Sequence, residues 1–291
     1  MKKRIAAMVL SACMVMSMAV PAFAEEETES SVDLSAVETV TEGVLTVATS
    51  PDFAPYEFYA IDEDGNATLA GFDIALAGYI ADYIGLELEI VTVDFDGVLS
   101  ELQTKSVDLG IAGLSPDPER ESIMDFSDYY YYGGQSFVTV KEKEDLFTSL
   151  EDTNNPSYSI GVQTGSIQVD LANEYSPDAD IVSLPKVTDI ITDLLTGNLD
   201  GAYIETDVAK SYATNYEDLV LVLDVPYDVE GGAIGVSKGN ETLLAAVNEA
   251  IAAALEDGSM DRFVAEANEL ATGEKYEGLL EEETETEALT E

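Results

Sequence analysis

The chain has no histidine, and its one cysteine is Cys13. Without imidazole it lacks the usual general base and the commonest metal ligand. Positive charge is scarce too: 12 Lys and Arg stand against 59 Asp and Glu, a net charge of −47. Nucleic-acid binding needs cations that neutralise phosphates, and this balance excludes it. It also argues against docking of the folded part on an anionic membrane surface. Past the first residues, no apolar run has the length of a membrane-spanning helix. No metal or other cofactor is expected.

What is present begins with a leader. Lys2, Lys3 and Arg4 precede an apolar run, and Ala22, Phe23 and Ala24 put small residues at both cleavage positions. Residues 1–24 therefore read as an export signal cleaved after Ala24. "LSAC" at 10–13 offers a competing lipoprotein box with Cys13 acylated, but the apolar run continues well past that cysteine. In either case the mature protein works outside the cytoplasm. It then has no disulfide and no thiolate chemistry. Residues 25–42 and 276–291 are acidic and are expected to be a disordered spacer and tail.

Between them strands and helices alternate. "GVLTVATS" reads as a buried strand, "GFDIALAGYIADYIG" as a helix ended by Gly85, "LELEIVTV" as a strand, "FDGVLSELQTK" as a helix and "SVDLGIAG" as a strand. This order implies a parallel sheet with helices on its faces. From residue 158 it recurs as "YSIGVQTG", "SIQVDLANEY", "DIVSL", "VTDIITDLLTG" and "LDGAYIE". "LQTKSVDLGIAG" (102–113) and "LLTGNLDGAYIE" (194–205) share Leu, Thr and Asp at matching offsets, which places Gly113 and Glu205 at corresponding strand ends. Open α/β sheets bind ligands beyond the carboxyl ends of their strands. The expected architecture is two similar α/β lobes, each a mixed, mainly parallel sheet flanked by helices. Lobe 1 is 43–134 plus 232–275, and lobe 2 is 135–231. Segments 130–141 and 224–236 would join them as a two-stranded hinge, able to close a cleft on a ligand. The tyrosines at 129–132 read as hinge and lobe packing, since alternate strand residues face opposite ways.

Only two arginines follow the leader, Arg120 and Arg262. Arg120 stands in "GLSPDPERES", straight after a short apolar strand. A cation in the first turn of a short helix is poorly placed for the helix dipole, so a specific anionic partner is the better account.

"LTVATSPDFAPYEF", "GFDIALAGYIADYIG" and "SVDLGIAGLSPDPERESIMDFSDYYY" together resemble the extracellular amino-acid-binding proteins of ABC importers, family 3, in the branch for polar and basic amino acids. The resemblance spans nearly all of 43–275. It departs at Ala75, where the family usually has a second acid. It implies the two-lobe type II periplasmic-binding-protein fold, no catalysis, an L-amino-acid ligand, a membrane permease as partner and a monomer.

The resemblance also implies a site. Arg120 would fork onto the ligand α-carboxylate, a geometry that guanidinium suits. Ser115 and the amides of Ser166 and Ile167 would add to the carboxylate site. The Gly113 carbonyl and Glu205 would take the α-ammonium, although helix capping competes for Glu205. Phe53 and Phe95 would wall the side chain, with core packing as the competing account. Ser50, Gln163 and Ile204 would complete that pocket. Ser50 and Gln163 make it polar and uncharged, which favours a neutral polar amino acid. An inward-facing Asp52, Asp94 or Asp96 would favour arginine or lysine instead. The rival functions are an enzyme on the same fold, of the cyclohexadienyl dehydratase type, and a ligand sensor. The enzyme lacks an acid–base pair here.

Overall fold

The computed structural model describes residues 32–61, 65–227, 229 and 231–272. The leader with Cys13, the front of the spacer and the acidic tail lie outside the described residues.

The first half runs β1 (Val44–Thr49), β2 (Asp52–Phe53), β3 (Glu57–Ile61), β4 (Ala67–Ala70), α1 (Phe72–Ile84), β5 (Glu87–Thr92), α2 (Phe95–Thr104), β6 (Leu109–Gly110) and β7 (Met124–Tyr131). The second runs β8 (Gln135–Val140), α3 (Leu150–Thr153), β9 (Ser159–Gln163), α4 (Gln168–Tyr175), β10 (Asp180–Leu184), α5 (Val187–Thr196), β11 (Gly201–Glu205), α6 (Thr206–Asn215) and β12 (Leu219–Val225). The chain then returns through β13 (Gly232–Ser237), α7 (Glu241–Glu256) and α8 (Ser259–Ala271). Gly85 and Gly197 stop α1 and α5 in the left-handed region, at φ +81° and +80°, where glycine carries no Cβ penalty.

Two five-stranded sheets share one plan, β5-β1-β6-β13-β7 and β10-β9-β11-β8-β12. In each, four strands run one way and the fourth in order is reversed. That reversed strand is the one by which the chain enters from the other sheet. Tyr131 pairs with Gly232 in one sheet and Gln135 with Val225 in the other, so the two passages between sheets lie side by side. Strands β2, β3 and β4 form a small antiparallel sheet inserted after β1.

Period-two alternation sorts the cores. On β11, Ala202 and Ile204 belong to the apolar cluster with Ile190, Leu194 and Val208 of α5 and α6. Tyr203 points the other way, into the cluster with Leu171 and Ala172 of α4. On the first sheet, α2 covers one face through Val98 and Leu102, while α1 and α7 cover the other.

In the tyrosine run, Tyr130 is buried with its hydroxyl on Asp73, Tyr131 meets Tyr56 edge to face and packs tilted on Phe72, and Tyr132, past the end of β7, is 67% exposed. The rear of the spacer is a correction: residues 32–42 pack on the body instead of standing free. Val32, Leu34 and Val37 lie against the core, Val40 N donates to Asp108, and Asn240 Nδ2 donates to Glu38 O. The apolar residues among the acids are the reason.

Candidate ligand-binding site

The parallel strands of both sheets end toward one cavity of about 520 Å³, part of it open to solvent. The segment after β1, the start of α2 and the loop after β6 line it from one sheet, and the turn after β9 and the end of β11 from the other. Gly133, Gly134, Tyr227, Val229, Gly231 and Gly232, at the two passages between sheets, complete it.

Arg120 is 8% exposed. It opens a short 3-10 turn over Arg120–Ser122, tied down by Asp117 Oδ1, which accepts from Glu119 N at 2.7 Å. The side chain turns inward, where Nη1 donates to Ser115 O at 2.9 Å and Nη2 to Gly165 O at 3.0 Å. One guanidinium thus joins loops of both sheets, with its central carbon 5.6 Å from the Phe95 ring centre. Burial lowers its pKa from the ordinary arginine value, yet a guanidinium stays charged.

Glu205 ends β11 and is 6% exposed. Its Oε2 accepts from Asp207 N and Val208 N, each at 2.8 Å, and so caps α6. Its Oε1 accepts from Gly134 N at 3.3 Å. Capping and cavity lining are therefore the work of one side chain. Burial pushes its carboxyl up to about 7, against the pull of the Val208 amide. A Cβ on Gly133 would stand 2.5 Å from Glu205 Oε1 and 2.8 Å from the Tyr56 hydroxyl oxygen, so a side chain there would have to displace one of them.

Phe53, Phe95, Gly113, Ser115, Gln163, Ser166 and Ile167 all line this cavity. Gly113 has φ +55°, and a Cβ on it would stand 3.0 Å from the Phe53 ring, a tight contact. Ser166 departs in detail: its Oγ and its amide both turn back to Gln163 O, at 2.7 and 3.2 Å. Two residues lie elsewhere. Ile204 packs in the core because it precedes Glu205 on a strand, and neighbours on a strand face opposite sides. Ser50 lines a second cavity, with Asp52, Asp94, Asp96 and Lys186, and donates to Asp52 Oδ1 at 2.9 Å. Asp52 is engaged across the sheets: its Oδ2 accepts from Val187 N, and its carbonyl from the Tyr212 hydroxyl at 3.0 Å. Burial pushes Asp52 up to about 6. Ala75, on α1, lines neither cavity.

The sequence reading missed Tyr56, Gln135, Gln168 and Tyr227. Gln168 Nε2 donates to Gln135 Oε1 at 2.8 Å, both buried. Tyr56 packs against Phe53 with ring centres 5.3 Å apart. The Gly-Gly before Gln135 was the available signal, because it marks a passage between sheets at the cavity floor. Among the described residues no group of three or more acids, histidines or cysteines is arranged to hold a metal. No described helix is long and apolar enough to cross a membrane.

Residues 45–267 match the family model of bacterial extracellular solute-binding proteins, family 3. The chain is 31% identical over 235 residues to the arginine-binding extracellular protein ArtP of Bacillus subtilis, covering 79% of this chain and 87% of that protein. It superposes on the amino acid ABC transporter substrate-binding protein AbpA of Streptococcus pneumoniae, bound to L-arginine, with TM-score 0.76 and 33% identity over 80% of this chain and 97% of that one. An ancestral arginine-binding protein bound to glutamine gives TM-score 0.68 and 32% identity over 77% and 96%. The fold, its motifs and these matches agree, and the chain belongs to the family 3 bacterial extracellular solute-binding proteins.

Proposed function

We propose that this chain captures a polar L-amino acid outside the cytoplasm and hands it to the permease of an ABC importer. One observation carries the amino-acid reading: among the described residues lining the cavity, Arg120 is the only cation and Glu205 the only anion. A zwitterion needs that pair. Arg120 takes the α-carboxylate with Ser115 and the Ile167 amide, and Ser166 backs the turn they approach. Gly113 O and Glu205 take the α-ammonium. Phe53 and Phe95 wall the side chain, and Gln163 faces its polar end with Gln135 and Gln168. These neutral amides favour a neutral polar ligand. Arginine is the second reading, supported by the arginine complex of the pneumococcal relative.

Lobe 1 is 43–134 with 232–275 and lobe 2 is 135–231, a division supported by the change of sheet at those points. The two passages act as the hinge, and the closed state wins by the contacts only it makes with ligand. The protein works as a monomer, released by cleavage after Ala24 or anchored through Cys13.

A thermal-shift screen of residues 25–291 against the twenty L-amino acids, ornithine and cystine tests this. Ligand at about 100 times its Kd adds about 2.7 kcal/mol. A shift with glutamine-like amino acids supports the first reading, and shifts confined to arginine and lysine the second. No shift with any of them overturns both.

A further inference from the structure

Glu57 and Asp73 are buried carboxyls that this binding role leaves unused. Both side chains are wholly inaccessible, Glu57 at the start of β3 and Asp73 in the first turn of α1. Asp73 Oδ2 accepts from Gly113 N at 3.0 Å and from the Tyr130 hydroxyl at 3.0 Å. Asp73 Oδ1 and both Glu57 oxygens receive no hydrogen bond from any donor placed by the structure. Asp73 N donates to Tyr56 O at 2.9 Å, which sets the Asp73 side chain beside Glu57, and the two carboxyls lie within hydrogen-bonding reach of each other.

The charged or titratable groups acting on Glu57 are Asp73 and Asp52, and those acting on Asp73 are Glu57 and Tyr130. None is a cation. Two carboxylates in contact in a dry core cannot both be ionised, because each lacks the counter-charge that would offset desolvation. One shared proton resolves the conflict. Asp73 keeps the negative charge, since it has two donors, and Glu57 keeps the proton and donates it to Asp73. The directions of titration agree: burial and its acidic neighbours push Glu57 well above the carboxyl range, whereas burial raises Asp73 only to about 6 against the pull of Gly113 and Tyr130.

We propose that Glu57 and Asp73 are a one-proton carboxyl pair that positions Gly113, the residue whose carbonyl takes the ligand ammonium. The positioning half rests on the amino-acid reading above, whereas the proton half does not. Gly113 is held from two sides. Its amide is fixed on Asp73, and the Phe53 ring stands 3.0 Å from where a Cβ would be. Its φ of +55° is a conformation that glycine adopts without cost. With amide and φ fixed, the Cα and carbonyl carbon are held at the cavity wall, and ψ is the one backbone rotation left to turn the carbonyl.

Infrared spectra of residues 25–291 at about pH 8, well above the usual carboxyl range, test the proton. The expected result is a protonated-carboxyl stretch in the wild type that disappears in Glu57→Gln. A wild type without that band overturns the pair. Calorimetry tests the positioning, with two matched probe pairs: L-glutamine against glutaric acid monoamide, and L-arginine against guanidinovaleric acid. The second member of each lacks the α-ammonium. Asp73→Ala should weaken the amino acid about tenfold more than its des-amino partner. Asp73→Asn, which keeps an acceptor for Gly113 N, should recover most of that loss. Equal losses for both members of a pair, or none, overturn the positioning role, since a merely structural defect would not tell them apart. If the wild type binds neither amino acid, positioning falls with the amino-acid reading, while the band still decides the proton.

Discussion

Asp108 and Thr46 hold each other twice: Thr46 N donates to Asp108 Oδ2 at 2.9 Å, and Asp108 N donates to Thr46 O at 2.9 Å. Asp200 and Ser159 repeat the arrangement in the other sheet, at 3.0 and 2.8 Å. These are the aspartates at matching offsets in the two echoing segments. Each locks the third strand in its sheet's order to the second, β6 to β1 and β11 to β9, and so sets where the following loop delivers its cavity residues. Asp108→Ala leaves the Thr46 and Val40 amides without their acceptor, and Asp200→Ala strips Ser159 N and Lys143. Each should cost about 1–3 kcal/mol, read as a lower urea midpoint with an unchanged slope.

Arg120→Ala should abolish binding of every amino acid, because the α-carboxylate is common to all of them. Loss of one partner of a buried, hydrogen-bonded charge pair costs at least about 2 kcal/mol, roughly thirtyfold in affinity. Arg120→Lys should not restore it, since an ammonium cannot span Ser115 O, Gly165 O and a carboxylate together. Calorimetry with the ligand found by thermal shift decides the matter. Retained affinity in the alanine variant would remove Arg120 from the site.

The strands and helices that carry the two sheets were legible because each has a clear period and a stop, such as Gly85 or Gly197. The passages between sheets were legible from the repeat. What escaped was set by tertiary contact. The β2–β4 insertion has strands of two to five residues, too short to show a period. Helix α6 follows β11 without a loop, its cap being Glu205 itself. Arg120 stood out by rarity of its type. Ile204 failed because one residue along a strand reverses the face. Ser50 failed because Asp52 draws it toward the second cavity. Gln135, Gln168 and Tyr227 are polar residues of ordinary composition, and only the meeting of two distant segments makes them a floor.

Gly133→Ala tests whether the space beside Glu205 matters. Gly133 does not need a left-handed backbone, so alanine is tolerated conformationally. The new methyl would meet Glu205 Oε1 and the Tyr56 hydroxyl inside contact distance. One of them must move, at a cost of about 1 kcal/mol or more. Affinity should fall for amino acids, and the melting temperature should fall by about 2–4 °C per kcal/mol of strain. Unchanged affinity would mean that Glu205 tolerates displacement, and its ammonium role would then be in doubt.

Glu205 makes binding depend on pH, and the sign follows from linkage. Its carboxyl is raised from 4.5 to about 7 in the ligand-free protein. The folded state therefore holds a proton that the unfolded chain has released between those values. The stability this group contributes is complete below the unfolded value and is lost as pH rises through about 7. Asp52 and Asp73, each raised to about 6, act in the same direction, so the ligand-free protein should melt at a lower temperature at higher pH. An ammonium beside Glu205 favours the carboxylate, so binding below that pH must expel the proton. Affinity should climb with pH, at a slope approaching about tenfold per pH unit, and level off above the free carboxyl's own value. Glu205→Gln should bind more weakly and lose the slope, because it has no proton to expel. Calorimetry in two buffers of different ionisation heat reads the proton directly. A wild type that releases none at acidic pH would show that Glu205 is no partner of the ammonium and serves only as the cap of α6.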